Sequence, residues 1–148
     1  MALETVLLAV GDERDRVSKL ANTAVDIAGP AGATVEIAHV FTREEYRSVR
    51  EKLDIDPDSE QTPHSVARRH TSTRELGEAF DGADVEYDIN GRIGDHGDEI
   101  VDLAEELDAD LVIVGGRKRS PTGKAVFGST AQEVLLESPC PVTFVRAD

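Results

Sequence analysis

Residues 111–132 read LVIVGGRKRSPTGKAVFGSTAQ, and the reading of the whole chain starts there. Residues 111–114 form a short apolar, β-branched run of the kind that makes a strand buried on both faces. Gly115 and Gly116 follow, then a loop holding Arg117, Lys118, Arg119 and Lys124. Gly128, Ser129 and Thr130 open the next helix, and Ser129 with Gln132, like Thr130 with Glu133, fits the S/T-x-x-E/Q capping box. The chain has 30 acidic residues in 148, so an even scatter would place four or five in this window, yet it contains none. A strand, a basic glycine-bearing loop and a helix N-terminus are the parts of an anion site. The helix end brings unpaired N–H groups and partial positive charge, and the loop brings full charges. The other reading of the same residues is a solvated basic loop.

Two common phosphate motifs do not apply. A Walker A loop needs G-x-x-x-x-G-K-[ST], but Gly123-Lys124 is followed by Ala125 and the residue five before Gly123 is Lys118. No G-x-G-x-x-G occurs in the stretch either.

At 148 residues the chain reads as one domain with room for a core. Its net charge is −14, only four of the 16 basic residues are lysine, and it lacks Trp. Such a composition suits a protein kept soluble in concentrated salt, where screening tolerates dense like charge. The same field repels nucleic acid over most of the surface, so no nucleic-acid partner is expected. The single Cys140 excludes an internal disulfide. The opening MALETVLLAV has no basic n-region and carries Glu4, which makes it a strand rather than a signal peptide. No apolar run approaches transmembrane length, so neither is a membrane partner expected; the expected location is cytoplasmic.

Working outward, Thr5–Val10 is a buried strand ending at Gly11-Asp12. Asp12 or Asp15 can cap a helix whose apolar face is Val17, Leu20, Ala21, Ala24, Val25 and Ala28, ended by Gly29-Pro30 and Gly32. Residues 34–40 are the second strand. Residues 42–63 read as a flexible insertion after it, with a charged helix over 43–53 and an exposed loop over 54–63. One helix is expected over 64–80, a strand over 85–93, a turn over 94–97, and a helix with Ile100, Val101, Ala104 and Leu107 on its dry face. A last helix carrying Phe127, Ala131, Val134 and Leu135 precedes a final strand, Val142–Val145. Alternating strands and helices define a single α/β domain: an open parallel five-stranded sheet with helices on both faces. Ligands of such folds sit beyond the carboxyl ends of the strands, where the strand order reverses.

These motifs together resemble the universal stress protein family, over nearly the whole chain. Nucleotide-binding members carry G-x-x-G-x9-G-[ST] after the fourth strand; here Gly115-x-x-Lys118-x9-Gly128-Ser129 keeps the spacing and three of the four marked positions. The first strand runs into Val10-Gly11-Asp12, matching the family's early aspartate, and Val40 matches the apolar residue that lines the adenine pocket. Ser138-Pro139-Cys140-Pro141-Val142 is a family-like entry to the last strand. The resemblance implies an adenine nucleotide alpha hydrolase-like fold with strand order 3-2-1-4-5. It also implies binding of ATP, with Mg2+ accompanying it, at Gly11, Asp12, Val40, Gly115, Gly116, Arg117, Lys118, Gly128, Ser129 and Thr130, and a homodimer formed through Val142–Val145. Lys118 stands where the family has glycine; it either blocks the approach of a nucleotide or adds a cation for its phosphates.

No catalytic base, nucleophile or dedicated metal carboxylate set is evident, which favours binding with at most slow ATP hydrolysis. The alternatives are a family member that binds no nucleotide and acts by dimerisation or partner contacts, and a nucleotide hydrolase. Asp95-His96-x-Asp98-Glu99 could suggest a metal, but Asp95 reads better as a helix cap, and no metal site is assigned. His39 reads as an ordinary strand-end residue and Cys140 as a small packing residue.

Overall fold

A computed structural model describes residues 2–10, 14–53, 62–116 and 128–146, with the side chains of 14–16 left aside. Its elements are β1 (Thr5–Val10), α1 (Arg14–Ala31), β2 (Thr34–Phe41), α2 (Arg43–Lys52), α3 (Pro63–Arg69), α4 (Thr71–Gly82), β3 (Tyr87–Ile93), α5 (His96–Glu106), β4 (Leu111–Gly115), α6 (Ser129–Glu137) and β5 (Val142–Val145). The strands form one parallel sheet in the order β3-β2-β1-β4-β5, as the family resemblance implied.

β1 sits in the centre, and successive side chains go to opposite faces. Val6 and Leu8 pack with Val35, Ile37, Ala24 of α1 and Leu76 of α4. Leu7 points the other way, onto Val112, Ala38, Leu103 of α5 and Val134 of α6. Val6, Leu7 and Leu8 are fully buried, each contributing about 1.5–3 kcal/mol by transfer from water. Reciprocal bonds fix the start of β1 beside β4. Asp110 N–H donates to Thr5 O (2.8 Å), and Asp110 Oδ2 accepts from the N–H groups of Glu4 and Thr5 at 2.9 and 3.0 Å. Those two N–H bonds hold the Asp110 carboxyl below the ordinary aspartate value.

Three expected boundaries move. α1 runs past Gly29-Pro30 to Ala31 and ends in a Schellman motif: Ala33 N–H bonds Ala28 O, Gly32 N–H bonds Gly29 O, and Gly32 takes φ 68°. Pro30 is tolerated in the last turn because it removes one ladder bond while its fixed φ suits a helix. The helix expected over 64–80 is two helices broken at His70, whose backbone is extended (φ −69°, ψ 140°). His70 Nδ1 accepts from Ser72 N–H (3.3 Å) and its ring lies 4.3 Å from that of His39, so a cap and a ring contact outweigh one more turn. β3 begins at Tyr87, two residues later than its pattern suggested. In the expected insertion, 43–52 is helix α2, entered through a Thr42–Glu45 capping box; residues 54–61 lie outside the described residues.

α3 flanks the outer edge of β3. Gly91 N–H donates to His64 Nδ1 (3.0 Å), and a Cβ on Gly91 would overlap the Pro63 carbonyl. The glycine is therefore required by close approach of backbone to backbone. Gly91→Ala should force β3 and α3 apart and cost about 3 kcal/mol of stability, read as a lowered urea midpoint.

Candidate functional site

The chain lays β1, β2 and β3 to one side and then crosses over to place β4 beside β1 on the other. Connections leaving β1 and β4 diverge, and a crevice opens at their carboxyl ends. A cavity of about 380 Å3 occupies that position. Ala9 and Val10 of β1, Ala38 and Val40 of β2, and Val114 of β4 line its apolar side. Gly115 and Gly116 bound it at the end of β4, and Gly128, Ser129 and Thr130 at the start of α6.

Six of the expected site residues thus meet around one space: Val40, Gly115, Gly116, Gly128, Ser129 and Thr130. The others, Gly11, Asp12, Arg117 and Lys118, lie outside the described residues, as do Arg119 and Lys124. Gly116 has a packing reason of its own, because a Cβ there would overlap the Phe144 ring of β5.

The expected capping boxes at the start of α6 are not formed. The N-cap is Gly128 (φ −70°, ψ 162°), with no side-chain cap bond, and Ser129 is already the first helical residue. Glycine has no side-chain acceptor, and the first ladder bond runs from Gln132 N–H to Gly128 O (3.0 Å). The N–H groups of Ser129, Thr130 and Ala131 precede that ladder, at residues that line the cavity. Among the described residues no side chain caps this terminus, and a helix terminus of that kind is suited to an anion.

Across the cavity stand residues that the sequence reading did not place there. His96 Nε2 meets Glu45 Oε1 at 2.6 Å, and the same oxygen accepts from Thr42 N–H (2.8 Å). T-x-x-E at 42–45 is a capping pattern that the sequence reading passed over, and nothing local shows that its glutamate reaches α5. His39, expected to be ordinary, is buried, stacks on Phe41 with ring centroids 4.3 Å apart, and also lines the cavity.

Asp95 caps α5 as expected, its Oδ1 accepting from Asp98 N–H (3.2 Å). The acidic group around it is assembled differently from the sequence cluster. His96 turns to Glu45 and Glu99 to Arg92 (3.9 Å), while Glu133 of α6 joins Asp95 and Asp98 with carboxylate oxygens within 4.8 Å of one another. Such a set offers oxygens to a hard cation. Gly97 permits the approach, since a Cβ there would lie 2.5 Å from Glu133 Cδ. The hydrogen bond to Asp98, then partial burial, then the charges of Asp98, Asp95 and Glu137 push the Glu133 carboxyl up to about 7.

With this geometry in hand, comparison with known proteins places the chain. Residues 3–146 match the universal stress protein family, and the chain belongs to it. A universal stress protein from Mycolicibacterium smegmatis is 40% identical over 63 residues, 42% of this chain and 48% of that protein, so the match spans about half of that relative. One from Thermus aquaticus is 30% identical over 143 residues, covering 97% of this chain and 98% of its own. Among solved structures, a universal stress protein from Archaeoglobus fulgidus aligns with TM-score 0.69 and 27% identity, over 96% of this chain and 98% of that one. At 20% identity the same fold recurs in a universal stress protein in complex with cAMP (TM-score 0.69, all of both chains). It recurs also in an Archaeoglobus fulgidus protein in complex with dAMP (TM-score 0.67, 98% and 99%).

The folded Glu133 value of about 7 lies above the ordinary 4.5, so between those pH values the folded protein holds a proton that the unfolded chain has released. This group's contribution to stability therefore falls as pH rises from 4.5 through about 7. Glu133→Gln keeps a donor for Asp98 without titrating. It should flatten that part of the profile and raise Tm above pH 7, checked by thermal melts across the window.

Proposed function

We propose that this protein is a nucleotide-binding, regulatory universal stress protein of the cytoplasm, with ATP accompanied by Mg2+ as its ligand. The observation that carries the reading is the glycine-capped terminus of α6 opening on a 380 Å3 cavity at the strand-order reversal. That volume falls in the range of small-molecule sites, about 300–1,000 Å3. The cAMP and dAMP complexes on the same fold support an adenine nucleotide as the ligand class. Among the described residues, no helix is long and apolar enough to cross a membrane.

In this proposal Val40 packs on the adenine, and Gly11 and Asp12 serve the ribose or the base edge. Gly115 and Gly116 admit the nucleotide close to the backbone. The N–H groups of Ser129 and Thr130, with the Ser129 hydroxyl, hold phosphate. Arg117, Lys118, Arg119 and Lys124 offset locally the field of a chain with net charge −14, which otherwise repels a triphosphate.

The proposal extends to a homodimer through β5. A sheet has two edges, and that of β3 is met by α3 at Gly91. On β5 the carbonyls of Pro141 and Val145 accept from Val112 and Gly116 of the β4 segment, so the backbone groups of Val142 and Phe144 face outward by alternation. An edge of this kind is a template for pairing with another chain.

Gly128 has a φ open to any residue, so substitution there tests chemistry rather than strain. Gly128→Asp supplies the missing cap while placing a carboxylate where phosphate would sit. Folding stability should hold or rise by a few tenths of a kcal/mol, while the affinity for Mg-ATP in calorimetry drops at least about tenfold. Unchanged affinity would remove α6 from the site. For the edge, Val142→Pro deletes an outward N–H without removing a ladder bond, and sedimentation should show the wild-type dimer become a monomer.

A further inference from the structure

Charge is unevenly spread at the two ends of the sheet. Residues 43–53 and 62–74, which hold α2, α3 and the start of α4, contain seven of the 16 basic residues against three acidic ones. Arg43, Arg47, Lys52, Arg68, Arg69 and Arg74 are all exposed. Among the described residues, none of Arg43, Arg47, Lys52, Arg68 and Arg74 joins an ion pair. Arg69 Nη2 donates to Leu53 O (3.4 Å), which draws the ends of α2 and α3 together, and with them Lys52, Arg68 and Arg69. Helix dipoles account for those three, each in a last turn. They do not account for Arg43 and Arg74, which stand in the first turns of α2 and α4, where a dipole disfavours a cation.

The opposite end is acidic. A groove of about 690 Å3 lies where β1 and β2 start, at Thr5 and Thr34, and where residues 84–88 lead into β3. Glu36, Asp81, Asp84, Glu86 and Asp88 line it, and among the described residues no basic one does. Asn90 Nδ2 donates to Glu36 (2.8 Å) and the Tyr87 hydroxyl to Asp81. Asp84, Glu86 and Asp88 have no ion pair among the described residues. Asp88 is also the register partner of Glu36 on the neighbouring strand, a like-charge pair that weakens the sheet. Stability of the fold therefore gives no reason for the carboxylates to gather there.

The junction of α3 and α4 is held near Phe41, at the carboxyl end of β2, through the His70 ring. The groove lies at the amino end of the same strand, and eight residues of β2 set the two about 25 Å apart. Cations of one chain thus do not reach the carboxylates of its own groove, whereas those of another copy do. We propose that a second copy of this chain docks head to tail, the basic face of α2, α3 and α4 entering the carboxylate groove at the amino ends of the strands. Five of the six exposed cations are arginine, whose fork pairs with carboxylates through two hydrogen bonds. The contact joins two different patches, so it is heterologous and can repeat from copy to copy. It is separate from edge pairing through β5 and does not depend on nucleotide binding.

Sedimentation of the full chain over a range of protein concentrations, at low and high NaCl, tests this. At low salt the average mass should rise with concentration above that of the unit seen at high salt, whether monomer or β5 dimer. At about 1 M NaCl, where the screening length is about 3 Å, the association should weaken at least about tenfold. Arg68→Glu with Arg74→Glu, or Glu86→Lys with Asp88→Lys, should each abolish the rise. A chain carrying all four changes keeps the wild-type net charge and reverses both faces, so it should associate again. In a one-to-one mixture of the two double variants each face meets its complement on the other chain, so association should return there too, even where the fourfold variant does not fold. A wild-type mass independent of concentration overturns the proposal, and so does association that both double variants retain. Loss in the double variants without return in the mixture also overturns it. The rival occupant is the chain's own acidic segment, removed by Asp54→Asn, Asp56→Asn, Asp58→Asn and Glu60→Gln; association that appears only after those changes assigns the basic face to that segment and overturns docking by a second copy.

Discussion

A parallel sheet whose first strand lies in its middle must send its connections in opposite directions, and the rest of this structure follows from that constraint. β1 is buried on both faces, with Val6 and Leu8 against α1 and α4 and Leu7 against α5 and α6. Strands added on one side of it, β2 and β3, take one set of crossovers; β4 and β5 take the other. The crossovers from β1 to α1 and from β4 to α6 therefore go to opposite faces of the sheet, which opens a crevice at the carboxyl ends of the two strands. The cavity lies there because the topology leaves space, and its walls are whatever residues happen to end the neighbouring strands and begin α5 and α6.

Charge shapes the site as much as space does. Glutamate and aspartate dominate the composition, and an anion would meet repulsion over most of the surface. Two local devices counter this near α6. The helix begins on a glycine, so among the described residues its first N–H groups have no side-chain cap. One turn further on, Glu133 shares a hydrogen bond with Asp98, which raises its carboxyl to about 7 and so removes part of a negative charge close to the same helix end. Gly97 makes that sharing possible by letting α5 and α6 approach, a case where a missing Cβ governs electrostatics through packing.

Much of the architecture was legible because it is written in local patterns. Thr5–Val10, which ends at Gly11-Asp12, and Val142–Val145, which follows Pro139-Cys140-Pro141, are short β-branched, mainly apolar runs, and both strands form with those bounds. The Asp95 cap was legible from its position before a periodic helix. The break at His70 was not, because the helical pattern runs through it; a ring contact with His39, thirty-one residues earlier, is part of what fixes the extended backbone there. The start of α6 misled for a related reason. Ser129 and Thr130 both carry the right spacing for a capping box, but a pattern one or two residues inside the helix looks the same as one at its boundary, and Gly128 takes the cap.

For the candidate site the division runs along the same line. By itself the sequence determined that this is a single α/β domain, which depends on periodicity along the chain; its motifs resemble those of the universal stress protein family, to which the chain belongs, and that resemblance puts the glycines after β4 and at the start of α6 together. Only the tertiary structure decided that Glu45 meets His96 across fifty-one residues, that Glu133 rather than Glu99 joins Asp95 and Asp98, and that Gly91 and Gly97 are required by what packs against them. Those contacts join segments from different crossovers, and no local pattern encodes which side chains two separate crossovers will bring within a few ångströms of each other.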